Sequence, residues 1–511
     1  MHCKTAIIAS SYYDSVVLMR VASQLKKRQN VAEVALFMGT EGNHDLLAQV
    51  GLATPESKEA GPQDLIIIVK AESDELAESI AAEAAQLLRS RRGADQAAAD
   101  YRPRTLDRAL GFLPGASLAA ISVPGAYAAR EAARCLDQGL HVFLFSDNVA
   151  LEDEKRLKAT AIERDLLLMG PDCGTAYLNG VGLGFTNVVE RGRIGCVAAS
   201  GTGLQAVACR IAQQGEGISH GIGVGGRDLS RDIGGIMTEY ALKLLDQDPQ
   251  TEVIVLLSKP PHETVARRLQ EFCATLHKPV VACFQGSTIA AEALQQVVTL
   301  DEAADVAVRL VRGSSLVPQF FDDPEAVAAQ LHHHGGHAVG KQVIGLFTGG
   351  TLAKEATLLL SATLGPIGME VVASGGHMVV DLGDDRYTIG RPHPMIAPEN
   401  RTEQLLELAA VNGLEHCGVL LFDVVLGHGS HLDPAGELAQ ALTQLRSRSG
   451  RLPSVVVSLI GTEQDPQDLS EQRRLLEEAG ASVFSVNSQA ARFAAMLVEP
   501  ACRQTFLEKT R

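Results

Sequence analysis

From position 118 onward, short apolar segments alternate with segments of helical periodicity. The predicted strands lie at 118–123, 141–145, 166–169, 195–199, 218–224, 253–257 and 279–284, and the same rhythm resumes at 343–347. Strands rich in Val, Ile and Leu are typical of parallel sheets that helices cover on both faces. The alternation therefore predicts an α/β fold made of several doubly wound parallel-sheet domains.

The chain of 511 residues is longer than one hydrophobic core usually serves, so we expect several domains. A small N-terminal α/β domain of ferredoxin-like type is predicted at 1–95. Doubly wound domains are predicted at 105–190, 191–313 and 341–511, with the middle boundary near 190–192. The polar stretch 93–104 and the segment 314–341 are interpreted as linkers.

Charge and cysteine usage exclude several classes of protein. The formal net charge is −16, and Lys and Arg form no long stripe, so nucleic acid is not an expected partner. Nine cysteines without a C-x-x-C pair favour a reducing compartment and argue against a thiolate metal site. No charged-then-apolar leader or membrane-length apolar run is present, so we expect a cytoplasmic protein with no membrane partner.

Glycine-rich turns follow several of the predicted strands, where an open parallel sheet binds its ligands. The turn made of Ser200, Gly201, Thr202 and Gly203 leads directly into a predicted helix. Its glycines allow close approach to the free N–H groups of the first helical turn, which favour an anion. The alternative is that Ser200 or Thr202 only caps the helix.

A second turn contains Gly170, Pro171, Asp172 and Cys173. No His lies nearby in sequence to activate the thiol, so we interpret Cys173 as a packing residue rather than a nucleophile. Asp172 is expected to cap a backbone turn. The turn is interpreted as part of a ligand-binding loop without covalent chemistry.

A third turn places Gly225 and Gly226 immediately before Arg227. Because a guanidinium beside exposed N–H groups can clamp phosphate or carboxylate, Arg227 is a candidate ligand-binding residue. The alternative is an ion pair between Arg227 and Asp228 or Asp232. A glycine-rich turn of the same kind lies at 347–351 in the C-terminal block.

In that block, Gly349, Gly350 and Thr351 open a predicted helix, and Asp423 ends a strand at a predicted rim position. The polar loop 381–394 contains three carboxylates, two Arg and a His, and we interpret it as an internally paired loop rather than a metal site. The His residues at 332–334 and 337 lie in the predicted linker. They are interpreted as solvated, so no metal site is predicted.

These turns resemble those of a known family. The segment 118–285 is similar to the succinyl-CoA synthetase α subunit, with G-P-D-C-G at 170–174, A-S-G-T-G at 199–203 and G-I-G-V-G-G at 221–226. The whole chain resembles the FdrA-type proteins of the CoA-ligase superfamily, through G-G-R-D-L-S at 225–230 and F-T-G-G-T-L at 347–352, among other segments. This resemblance implies a CoA-binding Rossmann domain followed by flavodoxin-like ligase domains.

Two departures from the synthetases bear on function. Those enzymes carry a phosphorylated His after the strand equivalent to 280–284, whereas this chain has Gly286-Ser287-Thr288-Ile289-Ala290. They also carry a Glu where this chain has Lys259. A covalent phosphoenzyme is therefore not expected, and a bound phosphate or carboxylate is favoured instead.

The resemblance implies an acyl- or carbamoyl-transfer subunit, with carbamoyl phosphate, oxamate and oxalurate as ligands. Lys259 and Arg227 would hold the phosphate, and companion subunits of a hetero-oligomer and self-association are expected. An acyl-CoA synthetase that binds CoA and a nucleotide, and a non-catalytic regulatory subunit, remain as alternatives. CoA is the one cofactor that the family suggests.

Overall fold

The computed structural model describes residues 2–11, 13, 15–96, 103–287, 294–314, 319–333, 340–371, 376–388, 391–411, 414–449 and 452–508. Two compact units are present. The first comprises Met1–Thr105 with Asp384–Ala397, and the second comprises Leu106–Gly383 with Pro398–Arg511. The blocks predicted as separate domains from 105 onward therefore share one compact unit, apart from the 384–397 segment.

The first unit contains a three-stranded antiparallel sheet. Its elements are β1 (His2–Ile8), α1 (Ser15–Lys26), β2 (Val31–Met38), α2 (Glu41–Gln49), a 3₁₀ turn (Ser57–Glu59), β3 (Leu65–Ala71) and α3 (Asp74–Gln96). The order is β1-β3-β2, and both outer strands run antiparallel to β3. This is the split β-α-β arrangement of ferredoxin-like folds.

Side chains of β3 alternate between two cores, as the period of a strand requires. Leu65, Ile67 and Val69 belong to the core shared with α1 and α3. Ile66 and Ile68 belong to a second core that includes Leu47 of α2. Helices therefore cover both faces of the small sheet.

The second unit begins with a short parallel sheet. Its elements are α4 (Leu106–Phe112), β4 (Leu118–Ile121), α5 (Gly125–Asp137), β5 (His141–Leu144), α6 (Leu151–Glu163) and β6 (Leu168–Met169). The strands lie in sequence order, β4-β5-β6, and all are parallel. Three strands correspond to one half of a dinucleotide-binding sheet.

A seven-stranded sheet follows. Its elements are β7 (Thr175–Leu178), β8 (Val181–Gly184), β9 (Arg191–Ala198), α7 (Gly201–Gln213), β10 (Ile218–Gly223), α8 (Ile236–Gln247), β11 (Val253–Ser258), α9 (Glu263–Cys273), β12 (Val280–Phe284), β13 (Gln295–Val297) and α10 (Leu300–Arg312). The order is β13-β12-β11-β9-β10-β7-β8. Five parallel strands thus have the flavodoxin-like order 2-1-3-4-5.

The hairpin β7–β8 corrects the predicted boundary at 190–192. The predicted boundary places the hairpin in the 105–190 domain, but Tyr177 pairs with Gly221, so the hairpin extends the next sheet. The two strands have four residues each, and the hairpin has three glycines, one in its turn at 180 and two in β8 at 182 and 184. Such short strands carry a weak local signal, and here pairing with a distant strand decides their structure.

The C-terminal block forms a five-stranded parallel sheet. Its elements are α11 (Pro324–His333), β14 (Gln342–Phe347), α12 (Gly350–Leu364), β15 (Met378–Asp381), α13 (Asp385–Thr388), α14 (Glu399–Ala410), β16 (Cys417–Val425), α15 (Pro434–Ser449), β17 (Ser454–Ile460), α16 (Leu469–Glu478), β18 (Ala481–Phe484), α17 (Asn487–Val498), a 3₁₀ turn (Pro500–Cys502) and α18 (Arg503–Glu508). The order β15-β14-β16-β17-β18 is again 2-1-3-4-5. The two larger sheets therefore share one topology, and the predicted fold class is confirmed.

The interpretation of 314–341 as an unstructured linker is wrong for part of the segment. Helix α11 lies there, and Phe321 just before it is 1% exposed and contacts Phe484, with ring centroids 6.4 Å apart. The segment also buries Val327 and Leu331 of α11, so burial of these two side chains and of the Phe321 ring anchors it. His332 is exposed, whereas positions 334–339 lie outside the described residues. No helix in the described ranges is long and apolar enough to cross a bilayer.

Candidate functional site

The carboxyl edge of the seven-stranded sheet brings several of the predicted turns together. β11 pairs with β9 through Leu257 and Ala198, so Lys259 and Ser200 follow adjacent strands. Gln285 N donates to Ser258 O at 3.1 Å, which places the end of β12 beside them. In the order 2-1-3-4-5, the gap between β9 and β11 is the topological switch point where ligands bind.

The turn before α7 has the geometry of a helix N-terminus. Ser200 is the N-cap, and its side chain accepts a hydrogen bond from Gly203 N at 3.0 Å. The capping role that the sequence left open is therefore present. The other N–H groups of the first turn have no intrahelical acceptor, so capping by Ser200 does not exhaust the donors of this turn.

The turn before α12 is fixed by a buried carboxylate. Asp423 accepts hydrogen bonds from Thr348 N at 2.7 Å and Gly349 N at 2.8 Å, and its backbone O and carboxylate contact buried Arg401. Burial raises the pKa of Asp423, against the lowering effect of Arg401 and the two amides. Asp423 lies within β16 and is 0% exposed, so its predicted position on the rim is wrong.

The two turns, which come from different blocks, are in direct contact. Ser200 Oγ and Thr351 Oγ1 share a hydrogen bond. A Cβ atom added at Gly349 would lie 3.0 Å from Thr202 Cγ2, and one added at Gly203 would lie 3.1 Å from Thr351 Cγ2. Only small residues allow this approach, so the N-termini of α7 and α12 converge on one region.

Charges at this region differ on the two sides. Lys259 is exposed and has no ion pair with the residues that the structure describes. On the other side, a Cβ atom at Gly350 would lie 2.4 Å from Asp381 Oδ2. An acidic group is stabilised at a helix N-terminus and opposes a second anion there. A bound anion is therefore favoured on the side of α7 and Lys259.

The turn at 170–173 is tightly packed. The Gly170–Pro171 peptide is cis, and Gly170 has φ +113°. Cys173 is 3% exposed, its thiol contacts Thr175 O and Gly223 O, and burial raises its pKa to about 12. A thiol with this pKa is protonated at neutral pH, in agreement with its interpretation as a packing residue. Asp172 N donates to Ser146 O at 2.9 Å.

The turn at Gly225 packs against this second turn. Gly225 has φ +85°, and a Cβ atom there would lie 2.5 Å from Pro171 O. Gly226, in contrast, faces open space and is exposed. These two turns form a second group, at the carboxyl ends of β6 and β10.

Arg227 has a different partner from those considered in the sequence. Its guanidinium pairs with Glu154 at 2.8 Å and donates to Val149 O at 2.7 Å. Glu154 also pairs with Lys158, which is 0% exposed and reaches Asp228 at 2.7 Å. Arg227 is thus anchored to a buried ionic network, although its side chain remains 47% exposed.

The polar loop at 381–394 is partly paired within itself, as expected. Asp384 accepts hydrogen bonds from Arg386 Nε at 3.0 Å and Arg386 N at 3.1 Å. Positions 389–390 lie outside the described residues. In the described ranges, the candidate metal-binding group consists of Glu399, His431 and Glu437. One possible ligand atom from each residue lies within 4.8 Å of those of the other two.

This group does not fit a metal site well. His431 Nδ1 accepts a hydrogen bond from Asp433 N at 3.1 Å. The neutral ring then carries its proton on Nε2, whereas a metal-bound His normally donates from its second nitrogen. The contacts of His431 are therefore those of a structural residue.

Two family models match the chain. A CoA-ligase model matches residues 346–497, and a model described as "AllF, heavy metal-associated domain" matches residues 1–103. The protein YahF of Escherichia coli (strain K12) is 38% identical over 506 residues, which cover 95% of this chain and 96% of YahF.

More distant relatives include the succinate–CoA ligase [ADP-forming] subunit alpha-2 of Trichomonas vaginalis. It is 32% identical over 180 residues, which span 34% of this chain and 57% of that subunit. Among solved structures, an ATP citrate lyase from Methanothrix soehngenii in complex with citrate and coenzyme A covers 79% of this chain and 85% of its own, at 14% identity and a TM-score of 0.34.

The N-terminal family model is named for heavy-metal association, but residues 1–103 of this chain do not offer the ligands of a heavy-metal site. Cys3 is the only cysteine between positions 1 and 103. His44 Nε2 is hydrogen-bonded to Ala60 O at 3.0 Å, and His2 contacts Asp74. Soft metals require paired thiolates, which this segment lacks.

Proposed function

This chain belongs to the CoA-ligase superfamily together with YahF, and on that premise we propose that it is an acyl- or carbamoyl-transfer enzyme subunit that binds an acyl phosphate. The proposed site lies at the N-terminus of α7, with α12 as its opposite wall and Lys259 as its cation. The observation that carries the proposal is the contact between Ser200 and Thr351, because it joins the switch-point turns of both flavodoxin-like blocks.

The chemistry of the site suits a phosphoryl group. Backbone N–H groups at a helix N-terminus and an adjacent ammonium bind phosphate without covalent chemistry. Charge that develops on the leaving phosphate is stabilised by the same donors. The residues at 286–290 provide no His to accept a phosphoryl group, so substrate positioning supplies the rest of the catalysis.

The finer proposal is transfer of a carbamoyl group from carbamoyl phosphate to oxamate. The oxamate amide nitrogen attacks the carbamoyl carbon, a C–N bond forms and the C–O bond to phosphate breaks. The nitrogen loses its proton to the departing phosphate, and the products are oxalurate and phosphate. The N-terminal match to a model that carries the name AllF supports a role in allantoin breakdown.

An acyl-CoA ligase is the second candidate, favoured by the 180-residue similarity to succinate–CoA ligase. Coenzyme A would have to bind at the carboxyl edge of β4, β5 and β6. The first β-α turn there offers one glycine, Gly125, whose added Cβ would lie 2.3 Å from Asp147 O. A dinucleotide-type turn needs several glycines to cradle phosphates, so this edge fits poorly. Lys259 in place of a Glu also favours the first candidate.

The test is a pair of charge reversals, Lys259→Glu and Lys243→Glu. Both side chains are exposed, and Lys243 lies on α8 away from the switch-point turns. Loss of a charge-assisted hydrogen bond costs about 1.5–3 kcal/mol, so Lys259→Glu should raise the Kd for carbamoyl phosphate by about 10- to 100-fold. Isothermal titration calorimetry measures this change, and Lys243→Glu should leave the Kd within about twofold.

Equal Kd values for both variants would remove Lys259 from the site. A second measurement addresses the ligase alternative. The protein is incubated with γ-labelled ATP and coenzyme A, and the product is tested for an acid-labile phosphoprotein. A stable label on histidine would contradict the transferase proposal and support the ligase.

A further inference from the structure

A cavity of about 430 Å³ lies in the second unit, away from the switch-point turns. Ser117 precedes β4, His141 is the first residue of β5 and Leu167 precedes β6, so the cavity opens at the amino ends of these strands. The hairpin β7–β8, β10 and the end of α8 provide the other walls. Its volume falls in the range of small-molecule sites, about 300–1,000 Å³.

The walls of the cavity are mainly aliphatic. Eight of the twelve lining residues are Leu, Ile or Val, and the remaining four are Ser117, His141, His220 and Asp248. Aliphatic walls with few polar groups favour a ligand whose body is apolar and whose orientation is set by one or two hydrogen bonds.

Both histidines have a defined tautomer. His141 Nδ1 accepts a hydrogen bond from Leu167 N at 2.9 Å, and His220 Nδ1 accepts one from Asn179 N at 3.2 Å. A neutral imidazole that accepts at Nδ1 carries its proton on Nε2. Burial lowers the pKa of both rings, so both stay neutral at pH 7 and offer N–H donors.

The one carboxylate of the cavity wall is already engaged. Asp248 Oδ2 accepts from Thr251 Oγ1 at 2.6 Å, and Oδ1 accepts from Gln250 N at 3.2 Å. Burial raises the pKa of Asp248, but these hydrogen bonds outweigh it and the net shift is downward. His220 Nε2 lies 3.9 Å from Asp248 Oδ2, which is too long for a hydrogen bond but places this N–H beside a carboxylate. The second histidine of the wall, His141, is therefore the donor that we assign to a ligand.

We propose that this cavity binds a neutral small molecule with an apolar body and a carbonyl acceptor, such as a carboxamide, which accepts a hydrogen bond from His141. An anionic head group is disfavoured because Asp248 is ionised and neither histidine is charged. The site is distinct from the proposed anion site, because it opens at the amino ends of β4, β5 and β6, whereas the anion site lies at the carboxyl ends of β9 and β11, and none of Ser200, Lys259 and Thr351 lines the cavity.

The experiment uses three probes that share a hydrocarbon tail: hexanamide, hexanoate and hexylamine. Binding to the full chain is measured by saturation-transfer NMR in the presence of inorganic phosphate, which keeps the anion site occupied. The Kd for hexanamide should be about tenfold lower than the Kd values for the two charged probes. This difference corresponds to about one hydrogen bond together with the cost of desolvating a charged head group.

Two substitutions test the location. Leu183→Trp fills the cavity, and Val181→Trp covers it from a side chain that is 61% exposed and therefore tolerant of change. Val298→Trp is the matched control, since Val298 is 69% exposed and does not line the cavity. If Leu183→Trp fails to fold, Val181→Trp decides the question.

Loss of hexanamide binding in Val181→Trp with retention in Val298→Trp is the expected result. The proposal is overturned if hexanamide does not bind, if all three variants bind it equally, or if hexanoate or hexylamine binds as well as hexanamide. Binding of hexanamide that appears only when phosphate is omitted would place the probe at the anion site and would also overturn the proposal.

Discussion

Glu355 of α12 lies where α12, α10 and α17 meet, and its protonation should control the pH dependence of stability. It is 3% exposed, accepts hydrogen bonds from Leu300 N at 2.8 Å and Asn487 Nδ2 at 2.8 Å, and its pKa is raised to about 7. Burial is the main cause and the nearby Asp301 carboxylate the second, while the two hydrogen bonds and Arg492 act in the opposite direction.

The sign of the effect follows from the direction of the shift. The folded chain holds the proton up to about pH 7, whereas the unfolded chain releases it near the ordinary value of 4.5. Between these values the folded state binds more protons at Glu355, so the contribution of this group to the free energy of unfolding is greatest below pH 4.5 and falls as the pH rises to 7. A shift of about 2.5 pH units corresponds to about 3 kcal/mol at 1.36 kcal/mol per unit.

The perturbation is Glu355→Gln, and the assay is urea unfolding followed by circular dichroism from pH 4 to pH 8. Gln keeps the acceptor for Leu300 N but cannot accept from Asn487 in the same way, which costs about 1 kcal/mol at every pH. Apart from this constant difference, the free energy of unfolding of the wild-type chain should fall by about 3 kcal/mol between pH 4.5 and pH 7 relative to that of the variant. The exposed Glu415→Gln is the control, and its curve should run parallel to that of the wild type.

Parallel curves for the wild type and Glu355→Gln would refute the reasoning. In that case Glu355 would be ionised throughout the range, and the hydrogen bonds from Leu300 and Asn487 would outweigh burial. Histidines that titrate in the same range contribute equally to both curves and cancel in the difference.

Two further predictions concern the packed turns. Gly225→Ala should lower the free energy of unfolding by about 1–3 kcal/mol, because φ is positive and the new Cβ would meet Pro171 O. Gly226→Ala should be nearly neutral, because Gly226 faces open space. Thermal unfolding of both variants checks this prediction, and equal Tm values would contradict it. Iodoacetamide at neutral pH should alkylate exposed Cys3 and spare Cys173, whose thiol is buried with a pKa of about 12. Mass spectrometry of peptides identifies the modified residue, and alkylation of native Cys173 at the rate of Cys3 would show that its thiol is accessible.

The sequence predicts the individual elements well where the local signal is strong. β11 is predicted at 253–257 and observed at Val253–Ser258, and β12 is predicted at 279–284 and observed at Val280–Phe284. These strands are buried on both faces, so their apolar character is continuous. The hairpin β7–β8 is missed because it is short and glycine-rich. Helix α11 is missed because its position depends on the burial of Val327, Leu331 and the preceding Phe321 in the tertiary structure.

The components of the candidate site are likewise visible in the sequence, but their partners are not. The turn at Ser200 is recognisable as a strand-to-helix glycine turn, and so is the turn at Gly349. Their contact joins positions 151 residues apart and depends on how the two blocks pack. The pairing of Arg227 with Glu154 depends in the same way on the position of α6.

By itself, the sequence determined that this chain builds parallel sheets with glycine turns at their carboxyl edges, because strand periodicity and glycine placement depend on neighbouring residues. The tertiary structure decided which turns meet, which carboxylates are buried and which cations are free. Those outcomes depend on strand order and on the packing of distant segments, which set the burial and hydrogen bonds of Asp423, Lys158 and Glu355.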